Sequence, residues 1–126
     1  MTRGRPFLIA GALFGAAGVL LGAFGAHALA GALDARGAHV WDTAVLYQLV
    51  HAVALLVVSA LVDRYGTRAL SVAGWAFITG IVLFSGSLYL LVLGDVRLLG
   101  PLTPLGGVSF VAGWLALAVA ARRSRG

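Results

Sequence analysis

The side chains that could do chemistry are few in this chain, and they interrupt stretches that are otherwise apolar. Two histidines, two tyrosines, two serines and a threonine make up one candidate polar site: His27, Tyr47, His51, Ser85, Ser87, Tyr89 and Thr103. A polar or ionisable side chain inside a membrane helix is a functional hypothesis by default. Tyr47 and His51 are four residues apart, so they share one face of a helix.

Three interpretations of the candidate polar site are open. The first is a buried hydrogen-bond network that fixes helix packing, with each histidine neutral and donating to a carbonyl or a serine. The second is a pocket for a lipid, a quinone or another amphiphile. The third is haem ligation by His27 and His51 from facing helices, because haem needs one or two axial histidines. Two histidines without a third ligand are weak support for zinc, so we expect no metal or other cofactor.

Enzyme chemistry lacks its usual residues. The chain has no cysteine, which excludes a thiol nucleophile. Its four acidic residues all lie near the ends of the apolar stretches, which excludes a catalytic pair of carboxylates within such a stretch. The Ser85–Ser87 segment has no preceding strand and no acid partner, so it does not match a nucleophile elbow. Proton-coupled transporters normally use an acid embedded in the membrane. We therefore predict that the protein is not an enzyme.

The elements that position these residues follow from composition. The chain has 126 residues, of which 61% are hydrophobic and 10% charged, against about 45–50% and about 25% in soluble domains. A soluble fold of this size could not bury so much apolar surface. The charged residues leave four uncharged stretches that reach the roughly 20 residues needed to cross a bilayer: Pro6–Leu33, Thr43–Val62, Ala69–Gly94 and Leu98–Ala121.

Backbone groups inside a bilayer must be satisfied within their own segment, so the four stretches are predicted to be helices. We expect an all-α, integral membrane four-helix bundle that forms a single transmembrane domain over residues 1–126. The predicted helices cover about 6–30, 43–65, 68–93 and 104–121.

Five features are expected at the helix ends. Pro6 fits a first helical position, and Gly66 can end the second helix as a left-handed cap. Thr67 is expected to cap the third helix and Thr103 the fourth. The segment Gly31–Asp42 is expected to form a short separate helix in the membrane interface.

The arginines predict the orientation of the bundle. Seven of the nine lie in the N-terminus, the second connection and the tail, and two lie in the other connections: Arg3, Arg5, Arg64, Arg68, Arg122, Arg123 and Arg125 against Arg36 and Arg97. The positive-inside rule therefore places both termini in the cytoplasm, as in a multi-pass protein of the cytoplasmic (inner) membrane. Trp41 and Tyr89 are expected in the aromatic belt of the outer interface. The basic tail is expected to anchor topology and not to bind nucleic acid.

Glycines recur in the first helix at spacings of four and three, and they form a candidate helix-packing seam: Gly11, Gly15, Gly18, Gly22 and Gly25. No hydrophobic force drives helices together in lipid, so association depends on close backbone approach and van der Waals packing. Such a seam can pack helices within one chain or between copies, and both interpretations are open. We expect self-association through small-residue seams, and a membrane-protein partner is the other candidate.

Four short motifs occur in order along the chain: the run Gly22–His27, the pattern W-x-T-A-x-x-Y-x-x-x-H-A from Trp41 to Ala52, and the runs Leu83–Tyr89 and Thr103–Gly107. Together they resemble the family of small integral membrane proteins known as domain of unknown function 423, which includes bacterial YgdD-type proteins and the animal transmembrane protein 256. The resemblance implies four helices and a bacterial inner-membrane location, but no agreed activity. The matching motif residues include the candidate polar site.

The expected function is a non-enzymatic structural, assembly or accessory role in the membrane. The alternative is a transporter or binder of a small amphiphile, a lipid or a quinone, in an outward-facing pocket at the candidate polar site. The expected partners are the lipid bilayer and either a second copy or another membrane protein. The residues of the candidate polar site are expected at one depth, under the outer leaflet, with all four helices contributing.

Overall fold

The structure is a computed structural model that describes residues 3–94 and 100–123. Within these ranges the regular structure is helical, and four helices are each long and apolar enough to cross a membrane. They are α1 (Arg5–His27), α2 (Ala35–Tyr65), α3 (Arg68–Gly94) and α4 (Leu102–Arg123). The predicted all-α bundle of four membrane helices is confirmed.

The helices form two antiparallel hairpins, α1 with α2 and α3 with α4, which pack together mainly through α2 and α3. The core lies between them, and its largest fully buried apolar side chains come from α1, α2 and α3: Phe7, Leu55, Val58, Val62 and Phe77. The outward faces carry exposed apolar residues such as Leu13, Leu20 and Val108, as expected of helices surrounded by lipid.

Two of the predicted helix ends are confirmed. Pro6 lies in the first turn of α1. Gly66 ends α2 with a left-handed backbone, φ 65°, and its N–H donates to the Val62 carbonyl at 2.8 Å. Thr67 does precede α3 with an extended backbone, but its side chain makes no capping hydrogen bond. Thr103 does not cap α4, because it lies inside the helix and its hydroxyl contacts Ser87.

The predicted short interfacial helix over Gly31–Asp42 is wrong, because α2 begins at Ala35 and continues unbroken into the span. Asp34 caps this helix, and its carboxylate accepts the Gly37 N–H at 2.7 Å. The predicted position of Trp41 in an interfacial belt is also wrong. Its ring is 1% exposed and packs inside the bundle. The first helix ends at His27, where the prediction extended to residue 30.

A π-helical turn interrupts α3 at Ile81–Ser85, where the Gly86 N–H donates to the Ile81 carbonyl. The extra residue in this turn changes which side chains of α3 face the bundle on either side of it. Ser85 at the end of the turn is fully buried. Such turns inside membrane or soluble helices are frequent at functional sites, and nothing in the sequence pattern predicted this one.

The two ends of the bundle differ in charge. The arginine end is defined by the described arginines near the start of α1, the connection of α2 with α3 and the end of α4: Arg3, Arg5, Arg64, Arg68 and Arg122. Asp34 and Arg36 lie at the opposite end. Arg97 and Arg125, which also entered the arginine count, lie outside the described residues, as does the side chain of Arg123.

Candidate functional site: a polar layer between the helices

We call the side chains that form hydrogen bonds between helices the polar layer: Trp41, Gln48, His51, Ser85, Ser87, Tyr89, Thr103 and Trp114. His51 lies at its centre and is 4% exposed. The Trp114 indole N–H of α4 donates to His51 Nε2 at 3.0 Å. An indole nitrogen can only donate, so Nε2 is the acceptor and the ring proton lies on Nδ1. Nδ1 then donates to the Tyr47 carbonyl, 2.7 Å away in the preceding turn of α2. Both ring nitrogens of a neutral imidazole are therefore used within the chain.

Aromatic rings surround the His51 imidazole. It stacks on Phe110 of α4, with ring centroids 3.7 Å apart and planes 11° from parallel. Phe77 of α3 and Trp114 of α4 lie at centroid distances of 5.3 and 5.7 Å. These contacts exclude other groups from the ring faces, so His51 joins α2 to both helices of the second hairpin.

Gln48 makes the corresponding connection to α1. Its amide nitrogen donates to the Phe14 carbonyl at 2.9 Å, and its amide oxygen accepts the Tyr89 hydroxyl of α3 at 2.7 Å. Gly18 lies beside this bond and leaves room for Leu49, because a Cβ there would lie 2.6 Å from Leu49 Cδ2. One buried side chain thus bridges three helices.

Trp41 forms a second polar contact with α1, near the end of the bundle that lies opposite the arginine end. Its indole N–H donates to the Leu21 carbonyl at 2.9 Å. The Trp41 ring lies 4.8 Å from the Tyr89 ring, centroid to centroid. Gly25 of α1 leaves the space that this indole occupies, since a Cβ at Gly25 would overlap Trp41 Nε1. Buried indoles normally need such an acceptor.

The two serines of α3 connect it with both neighbours. Ser85 Oγ donates to the Ala44 carbonyl of α2 at 2.7 Å. Ser87 Oγ donates to the Phe84 carbonyl at 3.0 Å and lies 2.6 Å from the Thr103 hydroxyl of α4. Because Ser87 has one proton, Thr103 donates in that pair. The π-helical turn ends at Ser85, so it contributes to the position of these serines.

Two members of the candidate polar site do not join the layer through their side chains. His27 is exposed at the end of α1 and, within the described ranges, makes no hydrogen bond with its side chain. Tyr47 contributes its backbone carbonyl and packs its ring 4.8 Å from Phe84, but the side chain is 41% exposed. The other five members of the candidate polar site do belong to the layer: His51, Ser85, Ser87, Tyr89 and Thr103. The layer also contains Gln48, Trp41 and Trp114, which the candidate polar site did not include.

The hypothesis that His27 and His51 jointly ligate haem is wrong. The end of α1 that carries His27 lies beyond the depth of Trp41, which packs on Gly25. His51 is ten residues further along α2, a separation of about 15 Å at 1.5 Å per residue. The two histidines are therefore at different depths, and both nitrogens of His51 are already bonded.

The glycine seam of α1 faces α2. A Cβ would lie 2.9 Å from the Ala52 carbonyl oxygen if built on Gly11 and 3.3 Å from Val45 if built on Gly22. Gly18 and Gly25 are equally close to Leu49 and Trp41, whereas Gly15 has only an ordinary 4.0 Å contact. The seam thus packs the first hairpin, and a second copy could use it only by displacing α2. A homo-oligomer stays a prediction.

Sequence reasoning missed Trp114 and Phe110, which form much of the environment of His51. Trp114 could have been identified from its indole, because a tryptophan deep in an apolar span needs a hydrogen-bond acceptor for its N–H. Ser109 was also missed, and its hydroxyl donates to the Ala76 carbonyl at 2.7 Å between α4 and α3.

The comparisons with known proteins agree with this architecture. The family model described as "Protein of unknown function (DUF423)" matches residues 21–107. The chain is 47% identical to the UPF0382 membrane protein YwdK of Bacillus subtilis over 93% of this chain and 96% of the relative. It is 46% identical to the UPF0382 membrane protein SERP0230 of Staphylococcus epidermidis over 97% of this chain and 99% of the relative. No solved structure matches. The predicted family resemblance and the prediction of a small multi-pass membrane protein are confirmed.

Proposed function

The chain belongs to the DUF423 family of proteins of unknown function, and on that premise we propose a non-enzymatic structural, assembly or accessory role in the cytoplasmic membrane. The bundle acts through its outer surfaces, while the polar layer holds the helices in register. The observation that carries this proposal is the pairing of both His51 ring nitrogens inside the chain, with Trp114 Nε1 and the Tyr47 carbonyl.

The hydrogen bonds of the polar layer are suited to positioning helices. Six bonds of the layer reach from one helix to the backbone carbonyl or side chain of another, and their donors are Trp41, Gln48, Ser85, Tyr89, Thr103 and Trp114. Each such bond contributes about 0.6–2 kcal/mol in membrane proteins. Sliding or rotating one helix would leave several buried groups without partners, which is costly in lipid.

The alternative function, binding of an amphiphile at the candidate polar site, needs a group free to meet a ligand. Three cavities bounded by described residues lie elsewhere, two at the arginine end and one at the opposite end beside Asp34 and Val40. In the polar layer itself, both ring nitrogens of His51 and both polar atoms of the Gln48 amide are already bonded within the chain. These bonds support the packing role more strongly than ligand binding.

The test compares His51→Leu with Tyr47→Phe in purified protein. His51→Leu removes two hydrogen bonds and leaves the Trp114 N–H without its acceptor inside an apolar span, so we expect a loss of about 1–3 kcal/mol in unfolding free energy. Tyr47→Phe is the control, because no described residue bonds its hydroxyl. Native mass spectrometry would detect any small molecule retained by the wild type. A bound mass that disappears with His51→Leu at unchanged stability would contradict the proposal.

Both termini are proposed to be cytoplasmic, on the arginine distribution. The chain contains no cysteine, so single cysteines report topology directly. We expect Ala32→Cys, in the connection of α1 with α2, to react with a membrane-impermeant thiol reagent on intact cells. Tyr65→Cys, at the end of α2, should react only after permeabilisation. The reverse labelling pattern would contradict the orientation.

A further inference from the structure

A cavity of about 360 Å³ opens at the arginine end, between the start of α1 and the start of α3. Its polar lining consists of Arg3, Arg68 and Ser71. Arg3 Nη1 donates to the Gly66 carbonyl at 2.7 Å, which fixes the guanidinium beside the cavity. Within residues 3–94 and 100–123 the Arg68 guanidinium makes no hydrogen bond or ion pair, so its donors are available.

Asp63, the acidic residue at the end of α2, is already engaged. Asp63 Oδ1 accepts the Gly4 N–H at 2.8 Å, and Asp63 does not line the cavity. The first turn of α3 also lies at the cavity, and the N–H groups of a helix N-terminus favour an anion. The cavity therefore combines two guanidinium groups, a hydroxyl and a helix start without a carboxylate in its lining.

A second cavity of about 400 Å³ continues from the first along the outer face between α1 and α3. The two share Pro6 and Trp75, and every residue that lines the second is apolar. It extends from Pro6 to Phe14 on α1 and from Trp75 to Ile78 on α3. Eight residues of helix correspond to about 12 Å, so the groove follows α1 into its membrane-spanning part.

Phe7 joins α1 to α3 at the arginine end. Its ring packs against Gly74 of α3, where a Cβ would lie 2.5 Å from Phe7 Cε1, and it meets the Trp75 ring edge-on at a centroid distance of 5.4 Å. Phe7 also lines the first cavity, at the polar end of the groove. Deeper in the bundle α1 packs on α2, and the α1–α3 face is left open to lipid.

We propose that the two cavities form one binding site for an anionic phospholipid. The phosphate lies between Arg3 and Arg68, within reach of the Ser71 hydroxyl, and an acyl chain occupies the groove beside Leu13 and Ile78. Guanidinium groups match phosphate oxygens in a bidentate geometry, and basic pockets between membrane helices bind anionic headgroups. This site lies at the opposite end from the candidate polar site and does not depend on the role of His51.

The charge of the site favours a lipid over a second copy of the chain. A symmetric partner on this face would bring its own Arg3 and Arg68 against the same residues, and like charges at close range oppose association. A free phosphate would fill the polar cavity but leave the apolar groove empty. A phospholipid satisfies both parts of the site at once.

The test is native mass spectrometry of the full chain in detergent, with equal amounts of phosphatidylglycerol and phosphatidylcholine that carry identical acyl chains. We expect one phosphatidylglycerol retained per chain in preference to phosphatidylcholine. Arg68→Gln should lower that retention about fivefold, the effect of one arginine at a lipid surface. Arg64→Gln is the matched control, because Arg64 lies at the same end but lines neither cavity.

The groove is tested separately with Leu13→Trp, whose larger ring blocks the groove, against Leu20→Trp. Both leucines lie on α1 and are 65% and 70% exposed, but only Leu13 lines the groove. We expect Leu13→Trp alone to lower retention of phosphatidylglycerol. Glycerol phosphate, which has no acyl chain, should not displace the lipid. Equal retention of both lipids, equal effects of Arg64→Gln and Arg68→Gln, or displacement by glycerol phosphate would overturn the proposal, as would a dimer that retains no lipid.

Discussion

The two hairpins of this bundle use glycine in different ways. In the first hairpin the glycines lie on one helix, and α2 provides the side chains that fill the space beside Gly11, Gly18 and Gly25. In the second hairpin both helices carry glycines, and each receives a phenylalanine of the other. Gly80 receives the ring of Phe110 and Gly113 receives the ring of Phe77, while Gly106 lies against the backbone of Phe84.

The arrangement in the first hairpin exposes the backbone of α1 to polar side chains. Gln48 reaches the Phe14 carbonyl and Trp41 reaches the Leu21 carbonyl, at 2.9 Å in each case. A glycine lies four residues after each acceptor, at Gly18 and Gly25. Glycines on α1 alone therefore let α2 approach closely, so that side chains of α2 can reach backbone carbonyls of α1.

The second hairpin is held by interlocking rings. The rings of Phe77 and Phe110 lie where a Cβ on Gly113 or Gly80 would collide with them, and Gly106 lies against the backbone of Phe84. A shift along the helix axis would bring these rings against side chains. This reciprocal packing fixes the register of α3 and α4, and Phe77 and Phe110 then form the aromatic environment of His51. The comparison predicts that Gly106, which faces the backbone of Phe84, tolerates less change than Gly18, which faces the end of the Leu49 side chain.

The largest effect is expected from Gly106→Ala. The new Cβ would collide with the backbone nitrogen of Phe84, and a backbone atom cannot move aside as a side chain can. We expect a loss of about 3 kcal/mol in unfolding free energy, the upper end for overpacking. Gly107→Ala is the matched control, because its Cβ would meet only Phe84 Cδ2 at 4.0 Å. Denaturant titration in detergent measures both, and equal stabilities would refute the reciprocal packing.

A smaller effect is expected from Gly18→Ala in the first hairpin. The new Cβ would meet Leu49 Cδ2 at 2.6 Å, and the end of a leucine side chain can shift. We expect a loss of about 1 kcal/mol, at the low end for overpacking. Gly15→Ala, with its nearest contact at 4.0 Å, should be neutral or slightly stabilising because alanine favours helix. If Gly18→Ala cost as much as Gly106→Ala, the two hairpins would not differ as described.

The polar layer could be predicted only in part, because the sequence gives the type of each residue but not its hydrogen-bond partner. His51, Ser85 and Tyr89 were identified from their polar type within apolar spans, and they do take part in helix-to-helix hydrogen bonds. His27 was included by the same rule but lies exposed at a helix end. Trp114 was not recognised because its partner is 63 residues away in the sequence, and residue type alone does not identify such a pair.

The sequence by itself determined the number of spans, their helical structure and the position of the glycine seam. These follow from hydropathy, from the length needed to cross a bilayer and from the requirement that backbone groups be satisfied in lipid. Only the tertiary structure decided that α2 fills the seam, that Trp41 is buried and that a π-helical turn precedes the Ser85 bond to α2. It also brought Arg3 and Arg68 to one cavity. These features depend on how each helix is rotated against its neighbours, and that rotation is set by contacts between distant segments, which local sequence patterns do not specify.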